Sequence, residues 1–272
     1  MNHWAIILGS SSGSGAAIAR ALATRPGLDV LGIHRGNHAA GAAEVRLAVE
    51  AAGRRYVEII SDAGRDAAIA VLTPQVREVV GASGVKVFVH SIANASLGWL
   101  VRGPQLLHPK QVDKTFDSMA HSFVWWVRAL FHGEMLAPEA RILALTNAIT
   151  DSTLANCSGI AAAKMALEMY VKYMASELGP LGYRVNALKY GTVETAALEW
   201  IFPDDSWSRL RDVHDRMHPA GRMITPDEVG RFVSVLADAD GAWFNGAIID
   251  MTGGQMNSVY QVMCDEVVAA RK

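Results

Sequence analysis

Cysteine is nearly absent from this 272-residue chain. Cys157 and Cys264 are the two present, too few for a disulfide framework and without the spacing of a zinc site. Long apolar runs are missing as well. Trp4–Leu8 meets Gly9 after five residues, short of both the apolar stretch of a secretion signal and a bilayer span. A reducing, cytoplasmic setting away from membranes is the expectation. Charge is sparse: 19% of residues are charged and the formal net charge is −2, with no Lys/Arg cluster of the kind a nucleic-acid surface needs. No metal site is expected. What abounds is apolar, 51% of the chain, enough for a sizeable core, and the length suits one large α/β domain. No repeat, charge block or low-complexity linker divides it, so 1–272 reads as a single domain.

Strand-length apolar runs alternate with longer helical stretches. Trp4–Leu8, Val30–Ile33, Tyr56–Ile60, Val85–His90, Ile142–Leu145, Val185–Leu188 and Ala247–Asp250 predict strands. They lack polar alternation, as strands covered on both faces do. Helices are predicted over Gly15–Thr24, Gly41–Ala52, Asp66–Val80, Pro109–Phe131, Cys157–Leu178 and Pro226–Ala237. Such repetition implies right-handed crossovers and a doubly wound parallel sheet, a Rossmann fold. Two stretches break the rhythm, Asn94–Gln105 after the fourth strand and Glu194–Arg222 after the sixth. Leu97, Trp99 and Leu100 enrich the first; Leu198, Trp200, Ile201, Phe202 and Trp207 enrich the second. Loops at the carboxyl ends of such strands surround the ligand crevice. An apolar substrate pocket, with residues 194–222 as its lid, is therefore expected.

The first strand runs into Gly9-Ser-Ser11-Ser12-Gly13-Ser14-Gly15 and then a helix. Glycines there permit a tight turn and close approach of a pyrophosphate, whose charge meets the helix N-terminus. The spacing is G-x-x-x-G-x-G. At the end of the second strand, an acid would bind the ribose diol of NAD, whereas Arg accommodates the 2′-phosphate of NADP. The segment here is Gly32-Ile33-His34-Arg35-Gly36-Asn37, without a carboxylate, so His34 and Arg35 favour NADPH over NADH. Asp62-Ala63 ends the third strand where an adenine amino group could be held.

The glycine spacing, Asp62, Lys164 in a long helix, and Arg184-Val185-Asn186-Ala187 before a Gly-Thr turn together resemble the short-chain dehydrogenase/reductase family. Gly221-Arg222, Pro226-Asp227-Glu228-Val229, Asn245-Gly246 and Asp250-Met251-Thr252-Gly253-Gly254 add to the likeness, which covers residues 4–257. Within the family the chain is most similar to enoyl-acyl-carrier-protein reductases, through His90-Ser91-Ile92-Ala93, Ser122-Phe123-Val124, Leu145-Thr146 and Lys172-Tyr173-Met174-Ala175. The resemblance implies hydride delivery from NAD(P)H. It assigns Ser91, Ile92, Ala93, Lys164, Gly191, Val193 and Thr195 to the cofactor, with Lys164 on the nicotinamide ribose supporting a catalytic tyrosine.

That tyrosine is replaced. Four residues before the lysine, where ketone reducers carry it, stands Ile160; seven before, where enoyl reductases carry it, stands Cys157; seventeen before, where the family has another hydroxyl, stands Asn147. Ketone reduction makes an alkoxide and needs a placed acid. Conjugate reduction of an enoyl thioester makes an enolate that needs hydrogen-bond support, and an iminium acceptor needs none. Candidate catalytic residues are therefore Lys164, Asn147, Cys157 and Tyr190, with Cys157 also readable as a small core filler. The expected activity is NADPH-dependent reduction of an activated C=C or C=N bond in an apolar small-molecule or carrier-bound substrate. The alternatives are a non-redox step, such as cyclisation, dehydration or isomerisation, and an inactive binding protein. In the family the helices near 109–131 and 157–178 pair across a two-fold axis. Phe123, Trp125, Trp126, Leu130, Phe131, Met165, Leu167, Met169 and Tyr173 supply surplus apolar surface there, so a homotetramer or homodimer is expected.

Overall fold

The computed structural model describes residues 2–195 and 206–269, without the side chains of Ser206, Trp207, Arg209 and Ala269. Seven parallel strands form one sheet: β1 (His3–Leu8), β2 (Leu28–His34), β3 (Tyr56–Ile60), β4 (Val85–His90), β5 (Leu136–Asn147), β6 (Arg184–Tyr190) and β7 (Ile248–Met251). Their order is β3-β2-β1-β4-β5-β6-β7. The order reverses between β1 and β4, and the crevice of a doubly wound sheet lies at that reversal.

Helices cover both faces, which is why the strands read as unbroken apolar runs. One face is covered by α1 (Gly13–Ala23), α2 (Ala39–Ala51) and α8 (Pro226–Leu236). The other is covered by α3 (Asp66–Val80), α5 (Ser122–His132) and α6 (Ser158–Leu178). Side chains alternate between the two cores: Trp4, Ile6 and Leu8 enter the α6-side core, while Ala5 and Ile7 enter the α1-side core. Phe88, Phe123 and Trp126 pack together in the former, and the Trp126 indole N–H donates to the Ala63 carbonyl at 2.8 Å, satisfying its one polar atom.

The long helix expected over 109–131 is interrupted. Following α4 (Pro109–Phe116), residues Asp117–His121 form a π turn before α5. There the Ser118 hydroxyl donates to the Asn94 carbonyl at 2.5 Å, diverting a side chain that would otherwise serve only its own helix. Phe123, Trp126, Leu130 and Leu167, expected as surplus surface, are core residues. Half-turn offsets put them on the inward face of their helices. Met165, Met169 and Tyr173 remain exposed, one stripe at four-residue spacing along α6.

Within the expected lid, residues 206–217 are helical (α7, Ser206–Met217), and a last helix, α9 (Val259–Ala269), follows β7. Leu198, Trp200, Ile201 and Phe202 lie outside the described residues, as does the Trp207 side chain. Among the described residues no helix is long and apolar enough to cross a membrane.

Candidate active site

Everything converges on the carboxyl ends of β1, β4, β5 and β6. Gly9 leaves β1 with φ +83°, and a Cβ there would stand 2.3 Å from the Ser91 carbonyl oxygen. A Cβ on Gly15 would stand 2.1 Å from the Gly9 carbonyl oxygen. Neither position tolerates a side chain, so strand, turn and helix close on one another through backbone alone. The Ser91 amide donates back to Leu8 at 3.0 Å and fixes the end of β4 beside β1. Ile92 is half-buried beyond it and Ala93 is exposed.

The turn presents the N-terminus of α1 to a groove of about 540 Å³ lined by Ser11, Ser12, Gly13, Asn37, Gly41 and Thr195, among others. Ser12 at the N-cap makes no side-chain cap and the first turn holds no acid. The leading N–H groups and the positive end of the helix dipole are thus left for an anion. Ser14 and Gly15 are buried in the first turn, and Thr195 lies over Gly13, 3.2 Å from where a Cβ would be.

At the end of β2 the His34 imidazole is buried and turned away from the groove. Its Nε2 meets Glu58 at 2.6 Å, and its Nδ1 accepts from the Gly36 amide at 3.1 Å. Arg46 holds the other Glu58 oxygen at 2.7 Å. Burial raises the Glu58 pKa, but the bonds from Arg46 and His34 prevail and hold it below the usual carboxylate range. Arg35 is exposed, with no hydrogen bond or ion pair among the described residues. Asp62 accepts from the Gly64 amide at 3.1 Å and faces Arg65 at 3.4 Å. Ala63 is buried beside it.

On the reaction side, Asn147 and Tyr190 are partners in register at the ends of β5 and β6, so their side chains leave the sheet on the same face. Asn147 Oδ1 accepts from the Ile149 amide at 3.2 Å. That leaves its NH₂ as an available donor. The Tyr190 hydroxyl bonds Ser14 at the start of α1, and burial pushes its pKa up against that bond. Lys164 reaches the same strand ends from α6. It is 5% exposed and its Nζ donates to the Leu145 carbonyl at 2.6 Å. Burial brings it down to about 8, opposed by the Glu168 carboxylate. Beside it His90 is buried and bonded to Ser122 Oγ at 2.8 Å. Burial first, and then the Lys164 charge, push its pKa down to about 3.

Cys157 is the N-cap of α6 and 1% exposed, with Sγ toward the Asn156 side-chain oxygen at 3.4 Å. Burial raises the thiol pKa, the opposite of what a nucleophile needs. Ile160 is buried one turn on. No hydroxyl stands at either position. The loop after β4 closes over this region, with Leu107 against Gly98 and Gly159 and the Gly98 amide donating to the Asn156 carbonyl at 2.8 Å.

Three contributors escaped the sequence reading. Gln255 accepts from the Thr192 amide and donates to the Thr192 hydroxyl, both at 2.7 Å. The buried His218 stands behind Gly191, its Nε2 2.7 Å from where a Cβ would be. Together they seat the turn Gly191–Val193, whose Val193 is buried and bridged to Ile224. Glu58 is the third; it lies on a different strand from the Arg35 turn it supports. The adjacent Gly253-Gly254 marked the end of β7, but nothing in the sequence ties Gln255 to Thr192.

A family model described as enoyl-(acyl carrier protein) reductase matches residues 9–256. Enoyl-acyl-carrier-protein reductase (NADH) from Escherichia coli is 29% identical over 138 residues, 51% of each chain. 1-Cyclohexenylcarbonyl-CoA reductase from Streptomyces collinus is 25% identical over 249 residues, 92% of this chain and 85% of that one. Among solved structures, a short-chain dehydrogenase from Burkholderia cenocepacia in complex with NADP superposes with a TM-score of 0.80 at 25% identity, covering 94% of this chain and 98% of that one. For the first curated relatives the match spans a third to a half of the relative's length.

Proposed function

The chain belongs to the short-chain dehydrogenase/reductases, in the family described as enoyl-(acyl carrier protein) reductase, and from that premise we propose that it is an NADPH-dependent reductase of an activated C=C bond in an enoyl thioester, or of a C=N bond. The observation that carries the reading is the pairing of an uncapped helix N-terminus at the glycine turn with a buried Lys164, with Cys157 and Ile160 in place of a hydroxyl at positions 157 and 160.

The residues fit the dinucleotide. The groove at Ser11, Ser12 and Gly13 takes the pyrophosphate on the free N–H groups of α1. Asp62 and Ala63 flank the adenine, and Ser91, Ile92, Ala93, Gly191, Val193 and Thr195 line the nicotinamide end. Lys164 holds the nicotinamide ribose. Bound NADPH supplies a hydride. The relatives divide over which dinucleotide is used, one naming NADH and another holding NADP. The preference here rests on Arg35, free at the tip of β2, and on Glu58 being occupied by Arg46 and His34.

Asn147 is the donor to the enolate oxygen, its NH₂ aimed by the bond that fixes its other end. Cys157 and Ile160 exclude water. Tyr190 steadies the strand end through Ser14. Leu107 beside Gly98 and Gly159, with the half-buried Leu97 and Ile92, would supply the apolar surface for an aliphatic or carrier-bound acyl substrate. The Met165–Met169–Tyr173 stripe favours a homodimer or homotetramer; a monomer mass by light scattering would remove that part.

The deciding experiment is NADPH oxidation against a panel of enoyl thioesters, ketones and cyclic imines. Turnover of enoyl thioesters or imines, with ketones inert, is the expected result. Ketone turnover overturns the mechanism, and tight NADPH binding with no turnover of any of them favours a non-redox reaction.

A further inference from the structure

On the α6 face near β7 the sheet carries polar residues where a parallel sheet covered by helices carries aliphatic ones. Thr146, Lys189 and Asp250 are partners in register across β5, β6 and β7. Glu168 and Lys172 come from α6 and Asp151 from the turn after β5, and these groups border a cavity of about 780 Å³. Asp151 and Asp250 are exposed; Lys189 pairs with Asp151 at 2.7 Å.

Glu168 is the carboxylate turned inward, its side chain 16% exposed. Thr146 Oγ1 donates to its Oε1 at 2.8 Å and Thr150 Oγ1 at 3.1 Å, while Lys189 Nζ stands 3.8 Å away. Lys164 lies one helical turn earlier and donates to Leu145, the residue before Thr146. The two head groups therefore grip neighbouring residues of one strand. Among the described residues they form no direct ion pair, so their interaction acts at a distance through low-dielectric surroundings. The other charge-bearing group facing Lys164 is His90 on β4, held neutral. Those facing Glu168 are Lys189 on β6, Asp151, Lys172 on its own helix, and Asp250 on β7.

We propose that Glu168 is a positioning residue for Lys164: from its seat between the Thr146 and Thr150 hydroxyls it keeps the buried ammonium charged, and so able to hold the cofactor ribose. This rests on the assignment of Lys164 to the dinucleotide made above. Burial removes water from the ammonium and pulls its titration down to about 8, and the Glu168 charge opposes that fall. Lys189 weakens the Glu168 field by standing beside it. Each neighbour thus shifts Lys164 in a defined direction.

The test is an NMR titration of Lys164 in the cofactor-free protein, labelled at the lysine side chains, together with NADPH fluorescence titrations between pH 6 and 9. Glu168→Gln should lower the Lys164 midpoint by about one pH unit or more. NADPH binding should weaken about fivefold at pH 8 and recover at pH 6, because a lysine with a lowered midpoint is still charged in acid. Lys189→Met should move the midpoint upward. A midpoint unchanged in Glu168→Gln, or binding weakened equally at every pH, overturns the proposal. If Glu168→Gln does not fold, a midpoint unmoved or lowered in Lys189→Met does the same. The midpoint is read without cofactor. Failure of the unaltered protein to bind NADPH would therefore count against the proposed function and not against the role of Glu168.

Discussion

Around the glycine turn, backbone meets backbone: Gly9 against Ser91, and Gly15 against Gly9, with no room for one more carbon. Around Asn147 the contacts are side chain to backbone, and Cys157 at the start of α6 is a buried thiol. The cofactor end of the crevice is fixed by covalent geometry, so its requirements are written as glycine. The proposed reaction end is furnished with side chains that present a group rather than close the fold. Substitution is costly where a fold must close and tolerable where a group is only presented.

Four substitutions would break or sharpen that contrast. Gly9→Ala should have the largest effect. A positive φ costs a residue with a side chain about 1–2 kcal/mol, and the clash with Ser91 adds about 1–3 kcal/mol. Dinucleotide binding by fluorescence should be lost, with a lowered melting temperature. Undisturbed binding would mean the turn is looser than its contacts indicate. Asn147→Ala should come next, slowing turnover on an enoyl thioester about 10²-fold with little change in NADPH affinity, as when one oxyanion donor is removed. Equal losses in binding and turnover would move Asn147 to the cofactor side. Arg35→Ala should weaken NADPH about tenfold and leave NADH nearly unchanged, since only the former loses a charge-assisted phosphate contact; parallel titrations measure it. Cys157→Ala should be mildest, with turnover within about tenfold, or roughly 1.4 kcal/mol of barrier. Abolished turnover with cofactor still bound would make the thiol essential and sink the proposed mechanism.

All seven strands were legible in the sequence, because a sheet buried on both faces forces unbroken apolar runs such as Trp4–Leu8 and Val85–His90. The glycine turn was legible for the opposite reason, since only glycine survives there. The α7 helix was not: Arg-Leu-Arg-Asp-Val-His-Asp-Arg offers few aliphatic residues, and its order is supported by pairs such as Arg216–Asp212. The outward stripe of α6 was separable from its core face only once the packing was known. Leu167 turned inward while Met165 and Met169, two positions to either side, turned out. Glu58, Gln255 and His218 escaped because their contacts depend on strand register and loop return, which spacing along the chain does not encode. The imidazole of His34, a residue the sequence assigns to the cofactor, bonds Glu58 and the Gly36 amide and so braces the turn that displays Arg35.

The pair of hydrogen bonds between Thr192 and Gln255 joins segments 63 residues apart. The Thr192 amide has no backbone acceptor in the turn; its partner arrives only when the chain beyond β7 has docked. Its solvent exchange is therefore a clock on that docking. Fraying of the C-terminal segment, or a bulky fusion placed there, should expose this amide to deuterium while the β6 amides just before it stay protected. The terminus of the chain would then be felt at the floor of the crevice without any movement of the sheet.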